Sequence, residues 1–148
     1  MPLPNPPRST DDVSGGVYMD AIADNIDALR YSVLQFPIGD GEAVIETGIW
    51  TEFLFPDAGV IEEWRCISSE TGSISIAIWK RAWGAGVPTS GDSIVAAAPI
   101  AITGGIQGSD TDLTGWSKIV AAHDVGRLSI NSVSGINSAL VFLKIRRT

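Results

Sequence analysis

GSISIAIWK, residues 72–80, sets Ile74, Ile76 and Ile78 on one side of an extended chain and Ser73, Ser75 and Ala77 on the other. Successive side chains of a strand point to opposite faces, so this alternation marks a half-buried β-strand. A helix would repeat its apolar residues every three or four positions instead. The period of two persists from Glu42 to the C-terminus. In INSALVFLKIRR, residues 136–147, Ala139, Val141, Leu143 and Ile145 share one face, and Leu140, Phe142, Lys144 and Arg146 share the other. An outer face carrying Leu140 and Phe142 is apolar where it should be polar, which points to contact with a neighbour or with a helix.

Further strands read at AVIETGIWTEFLF (43–55), GVIEEWRCIS (59–68), DSIVAAAPIAIT (92–103), WSKIVAA (116–122) and RLSINSV (127–133). Between them PDAG, ETG, GAGVPTSG, TGGIQGSD and SVSG carry turn residues. Seven or eight short strands with no helix between them predict a mainly β fold, an antiparallel β-sandwich of jelly-roll type over residues 42–148.

The chain has 148 residues, enough for one full-sized domain, with 45% hydrophobic and 18% charged residues. Its net charge is −7, with 17 acids against 10 bases, and the bases cluster only at Lys80-Arg81 and at Lys144, Arg146 and Arg147. Nucleic-acid binding draws its affinity from clustered cations, so it is disfavoured. One cysteine, Cys66, excludes an intrachain disulfide. The most apolar run, IVAAAPIAIT, is too short to span a bilayer and contains Pro99, so no membrane insertion is expected. MPLPNPPRST, residues 1–10, lacks the apolar core of a signal peptide.

That opening run holds four prolines, whose fixed φ and missing donors predict an extended arm over residues 1–16. Next, VYMDAIADNIDALRYSVLQF spaces Met19, Ile22, Ile26, Leu29 and Val33 by three and four, the seam of a heptad helix over residues 17–36. Asp20 and Asp24 suit its N-terminal dipole, and the Gly-rich linker 37–41 stops it. The seam either packs on the β domain of its own chain or forms a short homomeric bundle. Barely two heptads are marginal alone, so a bundle would lean on the β domains.

Reactive constellations are scarce. His123 is the only histidine, and its neighbour Asp124 would point to the opposite face of a strand, so the pair makes no triad. One Cys and one His cannot build a zinc site, and no cofactor is expected. SDTDLTG, residues 109–115, resembles half of a calcium loop, but Ala121 stands where the closing acid belongs, so an Asx turn is the better reading. Glu62-Glu63, Glu46 and Glu52 give no carboxylate pair of readable separation. Of the five tryptophans, Trp50 and Trp64 read as core. Trp79, Lys80, Arg81 and Trp83 form the one conspicuous cluster, either an interface or packing site or a ligand platform for a saccharide.

Taken in order, these residues resemble a β-sandwich module of tailed-bacteriophage virion proteins. The resemblance rests on the GSI strand ending in Ile78-Trp79-Lys80, then Pro88-Thr89, Asp92-Ser93-Ile94, Leu113-Thr114-Gly115-Trp116 and a closing strand pair. MDAIADNIDALR looks like the helical lead of such proteins, and the likeness covers most of residues 17–147. Ala77 departs from it where an acid is frequent, and His123-Asp124 where Gly-Asp is more usual. The resemblance implies a non-enzymatic homotrimer on the outer surface of a virion, assembled in the host cytoplasm. It implies a capsid decoration or, alternatively, a tail-tip or tail-fibre head that binds a host receptor or surface glycan. The arm would then engage a major capsid, tail or baseplate protein.

Overall fold

The computed structural model describes residues 30–148, and Ser32–Thr148 form one compact unit. The arm and the seam residues Met19, Ile22, Ile26 and Leu29 lie outside the described residues. Seven strands follow in order: β1 (Tyr31–Ile38), β2 (Gly48–Leu54), β3 (Gly59–Arg81), β4 (Ile100–Asp110), β5 (Ile119–Val120), β6 (Val125–Ser134) and β7 (Ala139–Arg147). They form one curled antiparallel sheet with the path β1-β7-β3-β6-β2, while β4 and β5 add to β3. This arrangement is consistent with a β-sandwich.

Where the expected helix 17–36 enters the described residues, the chain is strand instead. Tyr31–Ile38 is strand, Val33 lies on it 48% exposed, and Ser32, Phe36 and Ile38 turn inward. Alternating burial wins here because Phe36 meets Phe53 of β2, ring centroids 4.5 Å apart. The linker 37–41 also shrinks, since Pro37 and Ile38 belong to β1.

The largest departure from the expected short strands is β3, 23 residues long. ETG, read as a turn, is inside it, and TGGIQGSD is inside β4. Along one side of β3, β7 pairs with residues 59–68 and β6 with residues 73–81, so the two lie end to end. Along the other side runs β4, from Trp64↔Asp110 to Ile76↔Ile100, and β5 pairs with Gly59 and Val60.

This long ladder is creased in the middle. A Cβ placed on Gly108 would lie 2.0 Å from the carbonyl oxygen of Ala101. Extended chain of that length spans roughly 23 Å, so β4 doubles back on itself. At the same level a Cβ on Gly72 would lie 2.3 Å from the Ser134 carbonyl, so only glycine fits. The two halves of the sheet then face each other across a core that includes Ile61, Trp64, Ile74, Ile76, Ile78, Ile100, Ile102, Leu128, Val141 and Leu143. From Trp64 to Ile78 the inward positions stay even-numbered through the crease. The shift from Ile61 comes at a bulge between Ile61 and Glu63.

Candidate functional site

Strand alternation separates the cluster that the sequence puts side by side. Trp79 pairs with Arg127 across β6 and packs half-buried against the core. Lys80 takes the opposite face, and its Nζ donates to Asp124 Oδ2 at 3.0 Å. Asp124 is buried, 4% exposed, and the same oxygen accepts the Ala121 N–H at 2.8 Å. Arg81 pairs with Asp92 at 2.9 Å. Asp92 closes a 3₁₀ turn at Ser90–Asp92 by accepting the Thr89 N–H at 2.7 Å. That backbone donor, and then the Arg81 charge, hold the Asp92 carboxyl below the usual carboxylate range. Both cations of the cluster are therefore held within the fold.

Trp83 stands apart from its three neighbours. Just past the end of β3, it is 69% exposed. It borders a groove of about 580 Å³ with Leu54 of β2, Val125 of β6 and Val87. Leu54 and Val87 are about half exposed. Glu52 forms one flank and accepts from Arg127 Nε at 2.7 Å, and Arg127 also donates to the Pro88 carbonyl at 3.3 Å. Nothing local in the sequence marks this grouping, because Leu54 and the loop after β3 meet only where β2 and the end of β3 both pair with β6, at Leu54↔Val125 and Arg81↔Val125.

A second groove, about 470 Å³, lies on the other half of the sheet, lined by Arg65, Ile67, Gln107, Ser109, Leu140 and Phe142. Here the apolar outer stripe of β7 is where the sequence puts it: Leu140 and Phe142 are half-buried, and Ile67 beside them is 46% exposed. Cys66 backs the groove from the core side, and burial pushes its thiol up to about 11. It is thus protonated and unreactive at neutral pH.

The remaining candidates resolve into structural roles. His123 is exposed with φ 72° in a turn, its N–H donating to the Phe55 carbonyl at 2.7 Å, while Asp124 points to Lys80. Asp110 closes the expected Asx turn, accepting from the N–H groups of Asp112 and Leu113 at 2.9 and 3.3 Å. Glu62 pairs with Arg146 at 2.7 Å, and Glu63 with Arg65. Among the described residues no three His, Cys, Asp or Glu side chains gather as a metal site, and no helix is long and apolar enough to cross a membrane. Trp64 is core as expected, but Trp50 is not. It is 43% exposed on β2, the end strand of the sheet path, and its Nε1 donates to the Pro37 carbonyl at 3.0 Å, fastening β2 to β1.

Comparison with protein-family models finds none that matches the chain, and comparison with curated proteins finds no significant match.

Proposed function

We propose that this chain is a non-enzymatic structural protein of a tailed-phage virion, most simply a homotrimeric decoration on the outer capsid surface. One observation carries the reading. Two separate grooves face outward on a folded β body, one lined by Leu54, Trp83, Val87 and Val125 and the other by Ile67, Leu140 and Phe142 beside the polar Gln107 and Ser109. The charged side chains lining them, Glu52 and Arg65, are engaged in internal ion pairs. Contiguous exposed apolar surface of that kind marks places where protein meets protein. The jelly-roll form of the sandwich, the helical lead and the Pro-rich arm that engages a capsid or tail protein belong to the same proposal, on the strength of the sequence resemblance. The acidic surface suits a position facing away from packaged DNA.

A second reading has its own support. An exposed indole beside a carboxylate, Trp83 with Glu52, is a shelf on which a sugar ring of a host glycan could stack, as a tail-fibre head would require. Leu54, Val87 and Val125 supply no hydroxyl partners there, and Glu52 is already engaged by Arg127, which favours assembly over sugar binding. Quantifying the protein in purified virions separates the two. A copy number commensurate with the capsid lattice is expected, and a count matching a tail organelle would overturn the decoration reading.

A further inference from the structure

A cyclic trimer joins its subunits head to tail, so each copy must present two different surfaces that fit one another. The described residues carry two such surfaces, on opposite halves of β3. One carries a knob, the indole of Trp83, 69% exposed at the border of the groove it shares with Leu54 and Val87. The other is the groove of about 470 Å³ formed by Ile67, Leu140 and Phe142 with Arg65 on its rim, a volume that admits an indole ring.

Resting on the homotrimer reading, we propose that Trp83 of each copy seats in the Ile67–Leu140–Phe142 groove of the next copy around the ring. The charges on the two rims support this pairing. Beside the knob, Glu52 is 51% exposed while its partner Arg127 is 22% exposed, so the pair shows its acid to the outside. At the groove, Arg65 is 66% exposed while Glu63 is 14% exposed, so that pair shows its base. Knob on groove brings Glu52 toward Arg65 and lets the guanidinium lie on the indole face. Knob on knob, or groove on groove, would set Glu52 against Glu52 or Arg65 against Arg65, which is unfavourable. Trp and Arg are also the residues most often found at the energetic centre of an interface.

The full chain carries the test. Light scattering is expected to find a trimer, and Trp83→Ala to weaken association by about thirtyfold or more. Near-UV circular dichroism of the variant checks that the fold is kept. Cysteines placed at Ala82 and Gln107, both exposed, probe the contact with a short bismaleimide while Cys66 stays buried. The double variant Ala82→Cys/Gln107→Cys is expected to give covalently closed trimers in denaturing gels, and either single variant no cross-link. A monomeric wild-type chain overturns the homotrimer reading and this contact with it. A trimer indifferent to Trp83→Ala, or cross-linked by Ala82→Cys alone, overturns the contact and leaves the trimer standing.

Discussion

Lys80 is the residue whose role differs most from its sequence context. Flanked by Trp79 and Arg81, it reads as part of an interface or ligand platform, yet its ammonium meets the buried carboxylate of Asp124. Removing one member of such a pair leaves the other charged and unmatched in a poorly solvated place, which costs far more than the pair is worth. Lys80→Met is therefore expected to destabilise the fold by about 3 kcal/mol. Adding Asp124→Asn removes the stranded charge and keeps an acceptor for the Ala121 N–H, so most of that loss should return. Urea unfolding of the wild type, both single variants and the double variant measures the coupling, about 2 kcal/mol if the account is right. Strictly additive losses would show that the two charges do not depend on each other. The cluster was legible as a set of residue types, but its division was not. Alternation along β3 separates Lys80 from Trp79 and Arg81, whereas Asp124 arrives from a turn far along the chain.

At the scale of elements, the crease in β3 is where sequence reasoning failed, and the failure has a physical cause. Glu70, Thr71 and Gly72 resemble a turn because turns favour polar residues and glycine. Here Glu70 occupies an inward position, and its carboxylate accepts the N–H groups of Asn137 and Ser138 at 2.8 and 3.1 Å. Those donors lie between β6 and β7, where the matching strand is interrupted, so the acid satisfies backbone groups that the ladder leaves open. Nothing local reveals a partner 67 residues away. The inward parity from Trp64 through Ile78 was readable and would have argued for one continuous strand. Hydrogen bonds from the Ser69 hydroxyl and from the Asn137 and Ser138 N–H groups hold the Glu70 carboxyl below its ordinary value of 4.5. A carboxyl depressed in the folded state stabilises that state above the unfolded value, and the contribution disappears as pH falls through the folded value. Glu70→Gln is therefore expected to lower Tm near neutral pH. The gap from wild type should narrow steadily below about pH 4.5, where the wild-type carboxylate is progressively protonated. Thermal melts across that range check it, and a gap constant with pH would remove the carboxylate charge from the account.

For the whole molecule, the proposed homotrimer needs a part of the chain that would hold copies together. The 3-4 seam of residues 17–36 suggested a helical stem, but Val33, its last position, belongs to a strand, and Phe36 is core. What is left of that seam, Met19 to Leu29, is shorter than two full heptads, too short for an isolated helix to be stable in water. The outward stripe of Leu140 and Phe142 and the exposed Trp83 were both present in the sequence. Their organisation into two separate surfaces depends on the crease, which only the tertiary pairings disclose. Ser32–Thr148 form a compact unit with its own core, so a chain shortened to residues 30–148 is expected to unfold cooperatively by itself. If association rests on knob and groove, the shortened chain should still form trimers, with affinity reduced by whatever the N-terminal segment adds. Light scattering over a concentration series reads the result directly. A folded 30–148 chain that is monomeric where the full chain is trimeric would move the assembly determinant to residues 1–29. Trp83 would then have to be explained by a partner other than a second copy of the chain.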